Sequence, residues 1–281
     1  MSYKTILVHV DASRQAQQCM RLAAAIAEQE DAHLVGAAAT GVSRFIYQAG
    51  MVDPVDPSAS LAQHLESLRQ RARRALDNYE TLMLTMGVRS YESALIDDDA
   101  GAGLSLRGRY SDLLVLGQFE PGTPSSVALP DFPEYVVLNA GRPVLIVPYA
   151  GDFDRVGGRV LVAWDAGVSA TRAVVNALPM LRRADIVEVA VFNADDRGDA
   201  HGEVPGADIA LYLARHGIKV DVIRQKTSID VGNSLLSLAA DLGSDLLVMG
   251  CYGHSRLREI LLGGVTRTVL TSMTIPTLMS S

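Results

Sequence analysis

The chain is poor in cysteine and has neither an excess of positive charge nor a long hydrophobic run. Its two cysteines, Cys19 and Cys251, are far apart and lack the spacing of a metal site, so we expect reduced thiols and a cytoplasmic location. A net charge of −7 argues against a general binder of nucleic acid or of anionic membranes. No apolar stretch approaches the roughly 18 residues of a membrane helix, and the chain starts with a strand-length run, so neither a membrane span nor a signal peptide is expected.

Two common nucleotide-binding patterns, GxxxxGK[ST] and GxGxxG, are also absent. The chain does contain an internal repeat: Thr5–Asp11 parallels Arg159–Asp165, Asp112–Gly117 parallels Asp245–Gly250, and Arg142–Pro148 parallels Ile275–Met279. A length of 281 residues suggests about two domains. We therefore predict domains at 1–150 and 158–281, joined by a polar, glycine-rich segment.

Each half alternates strand-like and helix-like segments, which indicates a parallel sheet with crossover helices on both faces. Strands are predicted near 5–10, 33–39, 88–95, 112–117, 143–148, 159–165, 186–192, 218–224, 245–250 and 276–280. Helices are predicted near 13–30, 60–86, 100–110, 132–140, 169–183, 204–216, 230–242 and 264–273. The fold class is therefore α/β, with two tandem doubly wound, Rossmann-like domains of five parallel strands each.

The second half contains a strand, a glycine-rich loop and a helix start in succession. An apolar run ends at Gly250, Gly253 and Gly263 follow, and a predicted helix carries Thr266 in its first turn. Glycines let a ligand approach the backbone, and the unpaired N–H groups of a helix start carry partial positive charge. This order suits an anion. In a doubly wound sheet, Asp165 at the end of the first strand would lie beside Gly250 at the ligand-binding edge.

The G-x2-G-x9-G spacing of Gly250, Gly253 and Gly263 resembles the nucleotide-binding motif of the universal stress protein family. The family pattern continues with Ser or Thr, where this chain has Gly264. Because an Asp also follows the first strand of each half, the whole chain resembles a tandem universal stress protein. The resemblance implies two adenine nucleotide α-hydrolase-like domains, a role in the stress response and an adenine nucleotide, ATP with or without Mg²⁺, as the ligand.

In the family, the Asp and the backbone at the end of the second strand hold the adenosine, and the glycine loop holds the phosphates. By position, the resemblance implies a nucleotide site made of Asp165, Val191, Phe192, Asn193, Gly250, Gly253, His254, Gly263, Gly264, Val265 and Thr266, with no catalytic or metal-binding residue. Family members also dimerise through the last strand of the domain. A tandem chain could therefore form a homodimer or pair its two halves with each other.

The first half keeps Asp11 and Gly117 but loses the glycine loop. Glu120 stands in the place of Gly253, and a carboxylate there would repel a triphosphate by on the order of 1 kcal/mol or more. Asp131 adds negative charge near the helix start. The prolines of this segment remove N–H groups that could bind phosphate; they are Pro121, Pro124, Pro130 and Pro133. We predict one competent nucleotide site, in the second half.

Several residues also have a structural interpretation. Asp165 could be the N-cap of the following helix, although we favour ligand contact, and for Asp11 we favour the N-cap. His9, inside an apolar strand, is expected to be a hydrogen-bonded core residue.

Three functions remain open. The leading hypothesis is an ATP-binding stress-response protein that uses nucleotide as a regulatory ligand. A second is a scaffold that binds no nucleotide, or that binds an apolar molecule under the loop holding Phe45, Ile46, Tyr47 and Met51. A third is a slow ATPase or phosphotransferase, for which the chain offers no loop lysine and no clear carboxylate pair.

Overall fold

The computed structural model describes residues 2–42, 58–121, 131–194, 204–252 and 264–281, with only the backbone described for 58–61. Contacts divide the chain into two compact units: a first unit, Tyr3–Arg142, and a second unit, Pro143–Ser281 together with the first two residues. The fold is α/β, with mostly parallel strands and flanking helices, as predicted. No helix among these residues is both long and apolar enough to cross a membrane.

The elements alternate along the chain, as the hydrophobic pattern indicates. The strands are β1 (Thr5–His9), β2 (His33–Ala39), β3 (Tyr91–Ile96), β4 (Leu113–Gly117), β5 (Val144–Val147), β6 (Arg159–Ala163), β7 (Ile186–Phe192), β8 (Val220–Gln225), β9 (Leu246–Gly250) and β10 (Thr277–Ser280). The helices are α1 (Arg14–Glu30), α2 (Ser58–Met86), α3 (Ala100–Gly108), α4 (Phe132–Asn139), α5 (Val168–Leu181), α6 (Ala207–Arg215), α7 (Val231–Leu242) and α8 (Val265–Ser272).

The strand order reverses within each unit. The first unit has the order β3-β2-β1-β4, and all three pairings are parallel. The second unit has the order β5-β10-β9-β6-β7-β8, in which β10 to β8 are parallel and β5 is antiparallel to β10. The last strands of the two halves therefore pair with each other, with Thr277 opposite Ile146. The order reverses between β1 and β4 and between β6 and β9, and a doubly wound fold binds its ligands at such points.

A repeated aspartate holds the central strands together at their amino ends. The Asp112 carboxylate, just before β4, accepts the N–H groups of Lys4, which precedes β1, and of Thr5, which begins it, at 2.7 and 3.0 Å. Asp245, just before β9, accepts the N–H groups of three consecutive residues, Gly157, Gly158 and Arg159, at 2.9–3.1 Å. Hydrogen bonds from N–H groups to an ionised acceptor are among the strong ones. The two carboxylates thus fix the central strand pair that leads to each reversal point.

Candidate site at the carboxyl edge of the second unit

The carboxyl ends of β6, β7 and β9 meet at one edge of the second unit. Ala163, the last residue of β6, is paired with Ala190 of β7 and with Met249 of β9. The Trp164 N–H then donates to the Ala190 carbonyl at 2.9 Å, so β6 leaves the sheet beside β7. Asp165, Asn193 and Gly250 follow or end these three strands, and the structure therefore brings these three predicted site residues to the same edge.

Asp165 shapes the turn that enters α5. Its Oδ1 accepts the Gly167 N–H at 2.8 Å, and Ala166 between them has a φ of 58°. The N-cap of α5 is Gly167, so the alternative interpretation of Asp165 as the N-cap is wrong. The side chain is half-buried at the edge. One oxygen of its carboxylate therefore fixes the local backbone.

Asp11 makes the same turn in the first unit, where we had favoured an N-cap. Its Oδ1 accepts the Ser13 N–H at 2.7 Å, and Ser13 is the residue that caps α1, since its hydroxyl accepts the Ala16 N–H at 3.0 Å. The N-cap interpretation of Asp11 is therefore wrong, because the turn places the cap two residues later. The sequence signal was available, since Ser is a preferred N-cap residue.

Gly250 is held against the first turn of α5. A Cβ atom at this position would lie 2.3 Å from the Ala170 nitrogen and 2.5 Å from the Ser169 carbonyl carbon, and both are backbone atoms. The equivalent Gly117 faces the side chain of Gln15 instead, with the nearest atom at 2.5 Å. Close packing between strand and helix is thus sufficient to require a glycine at 250, whatever ligand the edge binds.

The end of β7 contributes backbone rather than side chains. Val191 is buried in the core, and Phe192 is half-buried. The Asn193 side chain is already engaged with the backbone of Thr227, since its Nδ2 donates to the Thr227 carbonyl at 3.1 Å and its Oδ1 accepts the Thr227 N–H at 2.9 Å. Asn193 therefore fixes the loop after β8. With its side chain engaged, only the backbone of Asn193 is left for a ligand, and the resemblance likewise assigns backbone atoms to this part of the site.

Helix α8, which follows β9 in the chain, begins at a glycine. Gly264 is the N-cap, with no side-chain capping bond, and its carbonyl accepts the Arg267 and Thr268 N–H groups at 2.9 and 3.2 Å. The two N–H groups before these, of Val265 and Thr266, come too early in α8 to have an intrahelical acceptor. Val265 is half-buried, and Thr266 is only 4% exposed. Gly253, His254 and Gly263, the remaining predicted site residues, lie outside the described residues.

Three residues at this edge have backbone conformations that side chains disfavour. Ala166, Asn193 and Tyr252 have φ values of 58°, 49° and 57°, and each follows one of the strands β6, β7 and β9. Among the described residues only Asp31, which ends α1, is another non-glycine residue with positive φ. Their first-unit equivalents, Ala12, Thr40 and Phe119, are described and do not have it. The left-handed conformations are therefore a property of the second unit's edge.

The equivalent edge of the first unit is filled and acidic. The rings of His9, at the end of β1, and Phe132, at the start of α4, lie 5.1 Å apart, and each residue is 6% exposed. The equivalent residues of the second unit, Ala163 and Val265, are smaller and half-buried. The helix start itself carries Asp131 at the N-cap, Pro133 without an N–H, and Glu134. Bulky rings and negative charge thus lie where the second unit has smaller residues and a glycine N-cap.

His9 is buried as predicted but is not fully hydrogen-bonded. Among the described residues its Nε2 has no hydrogen-bond partner. Burial lowers the pKa of His9 below its ordinary value, and the nearby Asp11 charge opposes this shift only in part. His9 is thus a neutral ring that packs against Phe132.

A model of the universal stress protein family matches residues 2–148 and again residues 158–281. The chain belongs to the universal stress protein family. Universal stress protein Slr1230 from Synechocystis is 28% identical over 152 residues, which cover 52% of this chain and 49% of that protein. The chain therefore spans about half the length of this curated relative.

Solved structures of universal stress proteins share the fold over the whole chain. One from Archaeoglobus fulgidus has a TM-score of 0.73 at 14% identity and covers 99% of this chain and 96% of its own. A putative universal stress protein from Pseudomonas aeruginosa has a TM-score of 0.59 at 17% identity, with 99% and 93% covered. These likenesses extend to the fold and not to a particular ligand.

We predict that Gly250→Ala is costly and that the equivalent Gly117→Ala is not. The new methyl group at 250 meets helix backbone, which cannot move aside. At 117 it meets the end of the Gln15 side chain, which can move aside by giving up its hydrogen bond to the Gln118 carbonyl. Overpacking of this kind costs about 1–3 kcal/mol. Urea denaturation should show a clear loss of unfolding free energy for the first variant and a loss of less than about 1 kcal/mol for the second. Equal losses would contradict the packing assigned to Gly250.

We also predict that His9 weakens the fold in mild acid. In the unfolded chain His9 is protonated below about pH 6.5, but the folded protein keeps it neutral to lower pH, because its pKa is lowered. The unfolded state then binds the extra proton, so stability falls as the pH drops, by at most about 1.4 kcal/mol per pH unit. Denaturation between pH 7.5 and 5.5 should give a smaller loss for His9→Gln than for wild type.

The control for this prediction is His64→Gln, at an exposed histidine of α2. Its stability should fall with pH as the wild type's does. If His9→Gln and His64→Gln lose stability equally between the two pH values, the neutral buried state assigned to His9 is wrong.

Proposed function

We propose that the second unit binds an adenine nucleotide, ATP, as a regulatory ligand in a stress-response role, and that the first unit binds none. The observation that carries the proposal is the set of left-handed residues at the carboxyl edge, Ala166, Asn193 and Tyr252. A non-glycine residue in this conformation costs about 1–2 kcal/mol, somewhat less for Asn. Such strain is typical of functional sites, where the backbone is arranged for a ligand.

The anion end of the proposed site is the start of α8. Its first N–H groups carry the positive end of the helix dipole, and no acidic side chain lies in its first turn. The equivalent helix of the first unit begins with Asp131 and carries Glu134 in its first turn. A phosphate is therefore attracted at one helix start and repelled at the other.

The adenosine end is the edge beside β6 and β7. The Asp165 carboxylate is half-buried, and carboxylates at such positions accept hydrogen bonds from ribose or adenine groups. Ala163 and Val265 are smaller than His9 and Phe132, whose rings pack together at the equivalent place in the first unit. The chemistry of the two ends supports a ligand with a neutral polar ring system and an anionic tail, which is the chemistry of a nucleotide.

Nucleotide binding would regulate the protein by stabilising its bound state. A ligand that binds only the native state stabilises it in proportion to the logarithm of its concentration above the dissociation constant. Nucleotide bound across β6, β7 and the start of α8 would favour one arrangement of this edge and leave the first unit unaffected. The protein would then report the nucleotide level of the cell to a partner through the second unit.

The proposal predicts different outcomes for Asp165→Asn and Asp11→Asn. An asparagine oxygen still accepts the turn N–H group in both variants, so neither should lose much stability. Loss of the Asp165 charge should weaken both ATP and adenosine about tenfold in calorimetric titration, as expected for a hydrogen bond to a charged group. Asp11→Asn should bind as wild type does. Unchanged affinity in Asp165→Asn, or no binding of ATP by wild type at millimolar concentration, would reject the proposal and favour the scaffold hypothesis.

A further inference from the structure

Helix α7 is connected to the proposed site through the loop that precedes it. The Asn193 side chain holds Thr227 by two hydrogen bonds, as described above. The Thr227 Oγ1 lies 2.8 Å from the Ser234 Oγ in α7 and accepts the Ile229 N–H at 3.2 Å. The N-cap of α7, Asp230, accepts the Asn233 N–H at 2.9 Å. The end of β7 is thereby tied to the first turn of α7.

The first turn of α7 in turn packs directly on α8. A Cβ atom on Gly232 would lie 2.7 Å from the Thr268 Cβ and 2.9 Å from its Cγ2. Real Cβ atoms essentially never approach so closely, so the two helices meet at a position where only a hydrogen fits. The Thr268 N–H bonds to the Gly264 carbonyl at 3.2 Å, which places this contact one turn from the N-cap of α8.

The first unit also has a glycine where its third and fourth helices meet, but that glycine faces a side-chain ring that can move. Gly101 is the second residue of α3, as Gly232 is of α7, and a Cβ there would lie 2.9 Å from the ring of Tyr135 in α4. The Asp99 N-cap accepts the Ala102 N–H at 3.0 Å, as Asp230 does for Asn233. The difference is that Tyr135 is 42% exposed and its ring can swing away, whereas the Cβ of Thr268 is fixed to the helix backbone.

We infer that Gly232 is a positioning residue for phosphate binding: it seats the start of α8 against α7, and so places the N–H groups of Val265 and Thr266 relative to the end of β7. The inference rests on the proposed function. Hydrogen bonds weaken steeply with distance and angle. A side chain at 232 would push α8 outward and misalign its N–H groups toward an anion, but it would leave the Asp165 end of the site in place.

The test compares ATP and adenosine binding by calorimetry in the full chain. Gly232→Ala should lower ATP affinity about tenfold, since N–H bonds to an ionised acceptor are strong and geometry-dependent, and should leave adenosine affinity unchanged. Gly101→Ala, the matched control, should leave both affinities as in wild type. The double variant Gly232→Ala with Thr268→Gly exchanges the Cβ atom between the helices and should restore the ATP affinity.

Each result bears on the inference. If Gly232→Ala is too unstable to study, the double variant still decides, because it must fold and bind ATP with the wild-type preference over adenosine. Equal losses of ATP and adenosine, an unchanged ATP affinity in Gly232→Ala, or no recovery in the double variant would overturn the positioning role while leaving the nucleotide site intact. Absence of ATP and adenosine binding in wild type would overturn the proposed function, and this inference with it.

Discussion

The backbone contact between Gly250 and the first turn of α5 is the constraint on which the candidate site depends. It brings the end of β9 against the helix that follows β6. The chain therefore has almost no space between the end of β9 and the first turn of α5 at the reversal point. The chain after β9 must then leave at once, and it does so through Cys251, buried beside the end of β10, and through Tyr252 in a left-handed conformation. Steric contacts therefore determine the path of the backbone at this edge. The polar groups proposed to contact a ligand are Asp165 and the N–H groups at the start of α8.

The two halves share the residues that fix the strands, turns and helices around the carboxyl edge, and they differ in the side chains at the edge itself. Both have an aspartate anchor before the fourth strand, an Asp turn after the first strand, a glycine at the end of the fourth, and a glycine where the third and fourth helices meet. The first unit has two rings, a proline and two carboxylates at this place. The second unit has small residues and a helix that begins at a glycine with no acidic residue in its first turn. Divergence at a shared scaffold is what one expects when function belongs to the site rather than the fold.

The fold was largely predictable because its signals are local. Short runs rich in apolar residues marked most of the ten strands, and the predicted bounds differ from the observed ones by a few residues at most. The site was predictable only in part. Asp165 and Gly250 were placed at one edge by topology, but the packing that requires Gly250 needs the coordinates of Ser169 and Ala170. The left-handed conformations of Ala166 and Tyr252 have no sequence signal, since neither residue type favours them. The N-cap interpretation of Asp11 is wrong because the turn it makes and an N-cap use the same residue types. That the Nε2 of His9 has no hydrogen-bond partner in the described part of the chain depends on its tertiary surroundings.

We propose that the chain has one nucleotide site although it has two units of the same fold. The most direct test is a calorimetric titration of magnesium-ATP into nucleotide-stripped protein, with the stoichiometry as the readout. We expect one ATP per chain. Two per chain would contradict it, because His9, Phe132 and the acidic start of α4 would then not exclude a phosphate. No binding at all would show that the intact edge of the second unit does not make a nucleotide site.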